Sequence, residues 1–186
     1  PAAPDQSSYW IQGCLLYTHR PLSASGPGTT VDIPAEQMKI EVWEDDTVGD
    51  DYEGSTRTDS NGCFYFWISD NDDGLLGGSK ETFVRLYPNT PGGYVTDISW
   101  LDEDYRYRTE NHTGGQNIDL GTIPGGGGGD TYLDKMFHIA DVLQDANEYA
   151  SQYRTAPSQV KTQYEPGYGK EGSSYNTYWN EITIGD

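Results

Sequence analysis

Residues 54–69 constrain the fold of this chain more than any other stretch. Their sequence, G-S-T-R-T-D-S-N-G-C-F-Y-F-W-I-S, predicts a strand, a tight turn and a second strand. The turn is D-S-N-G, in which Asp and Asn side chains bond their own backbone and Gly adopts a positive φ at no steric cost. The second strand, residues 63–69, is apolar on both faces, which predicts a position inside a sheet that is covered on both sides. The stretch therefore predicts a hairpin at the centre of a β protein.

Short strands recur along the first 123 residues, separated by turns rich in glycine and proline. Besides the hairpin, they are predicted at residues 8–18, 37–44, 82–87, 94–100, 105–109 and 116–123. In residues 37–44, Met38, Ile40 and Val42 face one way and Lys39 and Glu41 the other, which is the period of a half-buried strand. About eight short strands without a long helix predict a mostly β fold, a two-sheet antiparallel β-sandwich over residues 1–123.

The composition changes after residue 123. Residues 124–130 are predicted to form a Gly-rich linker. Asp130 is a good N-cap and Pro157 a stop signal, so residues 131–154 are predicted to form one long α-helix. Two more strands are predicted at residues 159–164 and 178–184. Residues 131–186 therefore form a thin layer that must pack on the sandwich or on a partner.

The charge excludes several classes of partner. The formal net charge is -19, which argues against nucleic acid, because phosphate contacts need a Lys/Arg surface. It equally disfavours anionic membranes, and no apolar run approaches the ~18 residues of a membrane span. The chain opens P-A-A-P, which is typical of a mature end left after processing. We therefore expect a secreted protein that is kept soluble by self-repulsion.

The two cysteines, Cys14 and Cys63, each follow a glycine and each lie in a predicted strand. This placement predicts a disulfide between neighbouring strands and hence an oxidising compartment. The alternative is two buried free thiols.

Two motifs carry a family resemblance. Residues 54–66, G-x-x-x-T-D-S-N-G-x-F-x-F, preceded by I-E-V-W-E-D at 40–45, resemble the transthyretin-like or carboxypeptidase-regulatory-like β-sandwich. D-L-G-T-I at 119–123, followed by F-H-I-A-D at 137–141, resembles the sandwich that precedes a metallopeptidase-like domain in some secreted bacterial proteins. The resemblance implies a zinc-binding H-E-x-x-H helix downstream of a segment like residues 180–186. No H-E-x-x-H occurs in this chain, so no catalytic residue is carried over.

Three groups of residues are candidate metal ligands. Asp134, His138 and Asp141 fall at i, i+4 and i+7 on the predicted helix, where they form either an O, N, O ligand set or a surface histidine flanked by carboxylates. Two acidic loops offer the hard oxygen ligands that Ca²⁺ prefers. Their residues are Asp70, Asn71, Asp72 and Asp73 in one loop and Asp45, Asp46, Asp50 and Asp51 in the other. The alternative is a solvated acidic surface that binds no ion.

The remaining candidates are surface features. Asn111-His112-Thr113 is an N-glycosylation sequon. The tryptophans, Trp10, Trp43, Trp67, Trp100 and Trp179, belong either to a carbohydrate platform or, more in keeping with the low aliphatic content, to the core. An exposed contact surface is predicted around the C-terminal Gly/Tyr-rich loop. Its residues are Tyr164, Tyr168, Tyr175, Tyr178, Trp179, Ile182 and Ile184.

The sequence thus predicts a secreted, non-catalytic structural or adhesive subunit of an extracellular assembly, such as a filament. Its partners are other copies of itself or another extracellular protein, joined through strand 178–184 at a sheet edge. One alternative is the N-terminal accessory region of a secreted zinc metallopeptidase. The other is a Ca²⁺- or carbohydrate-binding module.

Overall fold

A computed structural model describes residues 8–46, 49–69, 80–98, 104–125, 131–167 and 172–185. Within them lie one helix and fifteen strands, several of them very short. In chain order these are β1 (Ser8–His19), β2 (Leu22–Ser23), β3 (Gly26–Pro27), β4 (Val31–Pro34), β5 (Lys39–Glu44), β6 (Asp51–Arg57), β7 (Cys63–Ser69), β8 (Glu81–Tyr87), β9 (Gly93–Thr96), β10 (Tyr107–Arg108), β11 (His112–Thr113), β12 (Ile118–Pro124), α1 (Thr131–Ser151), β13 (Val160–Tyr164), β14 (Ser174–Asn176) and β15 (Glu181–Ile184).

Two sheets form the sandwich. In the first, the long strand β1 pairs with β12 on one side and with β7 and then β4 on the other. In the second, β5 lies between β6 and β8, and β10 and β11 pair with β8. Alternate residues of β1 and β5 are buried in one core, among them Ile11, Leu15, Ile40 and Val42, each 0% exposed. The mostly β fold and the sandwich layout are confirmed, although β12 runs parallel to β1, so the first sheet is mixed.

The turn predicted within residues 54–69 forms, but the prediction that the two strands beside it pair as a hairpin is wrong. Strand β6 pairs with β5, and β7 pairs with β1, so the two strands belong to different sheets. The turn forms as expected, since Asp59 Oδ1 accepts hydrogen bonds from the N–H groups of Asn61 (2.8 Å) and Cys63 (2.9 Å). Gly62, at φ 73°, ends the turn, and its carbonyl oxygen accepts a hydrogen bond from Leu15 N–H of β1 at 2.8 Å. This docking directs β7 onto β1 instead of back onto β6.

The C-terminal strands β13, β14 and β15 form a third sheet together with β9, which comes from the middle of the chain. Its order is β14-β15-β13-β9, with β9, β13 and β15 parallel. The helix α1 follows β12 and precedes β13 in the chain, and it packs against β9 and β1. Its apolar face, with Met136, Phe137 and Ala140 each 0% exposed, joins the main core. The helix therefore packs on the sandwich, and it ends at Ser151, three residues before the predicted end.

Replacing Gly92 with alanine is expected to loosen the contact between α1 and the third sheet. A Cβ at Gly92 would lie 2.5 Å from Leu143 O and 2.7 Å from Gln144 Cα, both helix backbone atoms that cannot move aside cheaply. Overpacking of this kind lowers the free energy of unfolding by about 1–3 kcal/mol. Chemical denaturation measures the loss, and hydrogen exchange should show faster exchange in β13. An unchanged stability would mean that the helix does not approach the Gly92 backbone this closely.

Candidate contact surfaces

Three aromatic residues lie exposed on and around the turn between β14 and β15. The exposed fractions are 55% for Tyr175, 82% for Tyr178 and 68% for Trp179. Asn176 shapes the turn, because its Oδ1 accepts hydrogen bonds from the N–H groups of Tyr178 (3.0 Å) and Trp179 (3.3 Å). The rings of Tyr178 and Trp179 meet edge to face with centroids 4.7 Å apart. Tyr175 OH donates a hydrogen bond to Asn180 Oδ1 at 2.8 Å. We call this group of three residues the hairpin-tip cluster.

A groove of about 260 Å³ separates the hairpin from the end of α1. Ala146 and Ala150 line it from the helix, and Tyr175 and Asn180 line it from the hairpin. Two more exposed aromatic side chains lie at this end of α1: Tyr149 (65%) in its last turn and Tyr153 (73%) just after it, with ring centroids 5.3 Å apart. One end of the molecule therefore combines an apolar groove with exposed tyrosines and a tryptophan.

The predicted contact residues fall into four groups. Tyr175, Tyr178 and Trp179 are exposed as expected, whereas Ile182 and Ile184 are half-buried. Tyr164 is 3% exposed and belongs to the core, so its predicted exposure is wrong: it lies in β13, beneath Lys135 of α1, whose Nζ donates to Tyr164 OH at 3.1 Å. Tyr168 lies outside the described residues.

The predicted use of strand 178–184 as a sheet edge is also wrong. The strand is shorter, Glu181–Ile184, and it is enclosed between β13 and β14. Its main chain is therefore already paired on both sides, and an added strand would have to displace β14. The hairpin offers side chains to a partner instead.

A second aromatic surface lies on the outer face of the first sheet. In the register of β1 and β7, Trp10 is opposite Trp67 and Gln12 is opposite Tyr65. Tyr65 is 44% and Trp67 58% exposed, and Trp10 and Gln12 are half-buried. We call these four residues the aromatic face. The expectation that β7 is covered on both sides is thus wrong: Phe64 and Ile68 point into the core, and the alternate Tyr and Trp point outward.

The sequence carries a signal for this surface. Residues 64–68 alternate between purely apolar side chains and aromatic side chains that carry a polar atom. Tyr and Trp tolerate a boundary with water because one end of each can hydrogen-bond. That alternation marks the outward side of the strand.

Two carboxylates of the predicted calcium loops form ion pairs, and one of the two loops lies outside the described residues. That loop comprises residues 70–73. In the other acidic loop, Asp45 pairs with Arg108 and Asp50 with Arg85. Among the described residues, no group of three His, Cys, Asp or Glu side chains is placed to hold a metal ion. Calcium binding stays a prediction.

The helix candidates form structural hydrogen bonds to β1. Asp134 Oδ1 accepts from Thr18 N–H at 2.9 Å, and Asp141 Oδ2 accepts from Tyr17 OH at 2.7 Å. Burial raises the pKa of the Asp141 carboxyl, and burial together with the neighbouring His19 lowers the pKa of His138. The rings of His19 and His138 lie 4.3 Å apart. These contacts fasten α1 to the first sheet and account for the i, i+4, i+7 pattern without a metal.

Asn111 is exposed in the loop that precedes β11. Its amide Nδ2 donates to Asp45 Oδ2 and to Glu81 Oε2 (3.3 Å), and its Oδ1 accepts from Arg108 Nη2 at 2.7 Å. Glycosylation there stays a prediction, and it would replace the two bonds that Nδ2 donates.

Cys14 and Cys63 form a disulfide, as predicted, between directly opposed residues of β1 and β7. In the part of the chain that the structure describes, no helix is both long enough and apolar enough to span a membrane.

No family model and no curated protein matches the chain. Solved structures match it at low identity. A 9R-lipoxygenase from Cyanothece PCC8801 is 20% identical, covers 67% of this chain and 17% of its own, and superposes with a TM-score of 0.40. An (S)-allantoin synthase is 15% identical over 64% of this chain and 42% of its own (TM-score 0.32), and a DUF3823 family protein from Parabacteroides merdae is 15% identical over 63% and 45% (TM-score 0.30). The chain spans less than half of each of these proteins, and at such TM-scores they carry no argument about its function.

Proposed function

We propose that the protein is a secreted, non-catalytic structural or adhesive module that works by association, with further copies of itself as the partner. The observation that carries this is the hairpin-tip cluster, in which Tyr178 is 82% and Trp179 68% exposed. Large aromatic side chains dominate the energy of protein interfaces, and Tyr and Trp lose little rotamer entropy on binding. The groove beside the cluster, lined by Ala146 and Ala150, is a receptor of matching apolar character.

Two further properties support this function. The Cys14–Cys63 disulfide suits an oxidising, extracellular setting. The formal net charge of -19 keeps an extracellular protein soluble and disfavours non-specific contacts with anionic surfaces.

Removing the hairpin-tip aromatics should abolish self-association. Wild-type protein at micromolar concentration is expected to sediment as concentration-dependent oligomers and to form regular rings or filaments in negative stain. The double variant Tyr178→Ser/Trp179→Ser should sediment as a monomer, because it loses the two most exposed anchors of the hairpin-tip cluster. A matched control is Tyr52→Ser on β6, which removes a 53% exposed aromatic from another part of the surface. Wild-type protein that stays monomeric at every concentration contradicts self-association.

One observation favours a second candidate, the N-terminal accessory region of a secreted zinc metallopeptidase. Parallel strands normally lie in sheets that are covered on both faces. On β13, Thr162 and Tyr164 are buried, while Lys161 and Gln163 on the opposite face are only partly buried, with 18% of the Lys161 side chain exposed. A layer covered on one face suits a sheet that further polypeptide completes. The coding sequence beyond Asp186 tests this directly: an H-E-x-x-H within about 60 codons supports the enzyme, and its absence there removes this candidate.

A further inference from the structure

The aromatic face lies on the first sheet, formed by β1 and β7, and not on the C-terminal hairpin that carries the proposed association. Its rings form a platform with a wall. The planes of Trp10 and Tyr65 are inclined by only 31°, with ring centroids 5.9 Å apart. Trp67 stands at 80° to Tyr65, with centroids 5.7 Å apart. We call the rings of Trp10 and Tyr65, which meet at this shallow angle, the platform, and the nearly perpendicular ring of Trp67 the wall.

Hydrogen-bonding groups continue the row beyond the rings. Gln12 follows Tyr65 across the β1–β7 pair, and Asp119 of β12 is the partner of Gln12 on its other side. Gln12 Nε2 donates to Asp119 Oδ2 at 3.1 Å, which orients both side chains while the Gln12 carbonyl oxygen takes no part in the bond. A shallow groove of about 440 Å³ opens here, lined by Gln12, Asp119 and the disulfide. The surface thus changes from aromatic to polar along one line across three strands.

This combination selects one chemistry of ligand. A pyranose ring has C–H bonds on its faces and hydroxyls on its edge, so it stacks on an aromatic π face and hydrogen-bonds amide and carboxylate groups beside it. A purely apolar protein segment would desolvate the Asp119 carboxylate and leave the Gln12 carbonyl oxygen without a hydrogen bond. Platform and groove cross three neighbouring strands, a width of about 10 Å at the usual strand spacing, which leaves room for more than one sugar ring.

Charge narrows the class further. The outward side chains of β7 are Cys63, Tyr65, Trp67 and Ser69, and none of them is basic. The Asp119 carboxylate lies beside Gln12, and the whole chain carries a formal net charge of -19. Sulfated or uronic-acid glycans would meet repulsion with no Lys or Arg on these outward positions to offset it. We infer that the aromatic face binds an uncharged polysaccharide chain.

Affinity electrophoresis tests the inference. Native gels containing β-glucan, glucomannan, galactomannan or soluble starch should retard the wild-type protein in at least one case, and gels containing heparin or alginate should not. The variant Tyr65→Ala/Trp67→Ala is expected to bind at least about tenfold more weakly by calorimetry, since it loses one stacking ring and the wall. Both side chains are substantially exposed, so their removal spares the core. A second variant, Gln12→Ala, should weaken binding while leaving every ring in place.

The variant Tyr178→Ala/Trp179→Ala is the matched control, because it removes the same pair of residue types from the hairpin-tip cluster. It should bind the polysaccharide as the wild type does, whatever its effect on self-association. The inference is overturned if no neutral polysaccharide retards the wild type, if only heparin or alginate does, or if Tyr65→Ala/Trp67→Ala binds as tightly as the wild type. It is also overturned if that variant loses self-association instead, which would assign the aromatic face to a second copy of the chain.

Discussion

Replacing Lys80 with methionine is expected to lower the free energy of unfolding by about 3–5 kcal/mol, the cost of breaking a buried ion pair from one side. Lys80 is 5% exposed, and its Nζ lies 2.5 Å from Glu53 Oε1 and 3.0 Å from Glu44 Oε2. Methionine keeps most of the apolar stem but leaves two carboxylates facing each other, with Glu44 only 6% exposed. Urea denaturation followed by tryptophan fluorescence measures the loss.

The control is a more exposed lysine in an ion pair of the same sheet, whose partner Glu41 has 12% of its side chain exposed. Lys39 Nζ lies 2.6 Å from Glu41 Oε1, but the Lys39 side chain is 35% exposed. Lys39→Met should therefore cost no more than about 1 kcal/mol. If the two substitutions lower the free energy of unfolding equally, burial does not make the Lys80 ion pairs more costly to break than the Lys39 pair. The double variant Lys80→Met/Glu44→Gln should recover part of the loss, because it removes one of the uncompensated charges.

The ion pairs of Lys80 with Glu44 and Glu53 also make stability depend on pH in the alkaline range. Burial opposes the charge on Lys80, but the hydrogen bonds to Glu53 and Glu44 outweigh it and raise the pKa of Lys80 to about 12. Unfolded lysine titrates near about 10.4, so the stabilisation is complete below that pH and is lost as the pH rises towards 12. Tyr87 and Tyr105, whose pKa values burial also raises to about 12, add to the alkaline loss in both proteins. The difference between wild type and Lys80→Met should therefore shrink above pH 10.

The short-range features of this fold follow from the sequence. The turn at Asp59–Gly62 forms because its side-chain and backbone hydrogen bonds are local, and the position of α1 follows from its apolar period. The pairing partners of β6 and β7 are not local properties. Residues 54–69 alternate as two strands and a turn whether the strands meet each other or separate sheets, and the choice rests on how the turn docks against β1, which lies about 45 residues earlier in the chain.

The candidate surfaces show the same division. Composition marks the C-terminal segment as rich in Tyr and Gly, but exposure depends on which tyrosine a distant element covers. Tyr164 is buried because β13 lies beside β9 and beneath α1, and Tyr178 is exposed because a four-residue turn carries it away from the sheet. The sequence leaves open whether Trp10 and Trp67 belong to the core or to a carbohydrate platform for the same reason: an alternating apolar strand does not show how many layers cover it.

Removing the disulfide by Cys14→Ser/Cys63→Ser is expected to lower the free energy of unfolding by about 4 kcal/mol. The two cysteines are 49 residues apart in sequence. Opening a loop of that length increases the conformational entropy of the unfolded chain, which stabilises the unfolded state by about 4 kcal/mol. The disulfide also joins β7 to β1, the central strand of the first sheet, just after the turn at Asp59–Gly62 where the chain crosses from one sheet to the other (the sheet-crossing turn). Its loss should therefore make β7 the first strand whose amide hydrogens exchange. Guanidinium denaturation and hydrogen exchange measure the two effects.

Reductant supplies the matched control, because it opens the same bond without changing the sequence. Wild-type protein with a phosphine reductant should unfold at the denaturant midpoint of the double variant, and the double variant should be insensitive to reductant. Intact mass should fall by about two protons on oxidation of the wild type and not at all in the variant. A loss below about 1 kcal/mol, with β7 still protected, would mean that the β1–β7 pairing holds without the bridge. The sheet-crossing turn, with its Asp59 hydrogen bonds, would then be the element that fixes β7 on β1.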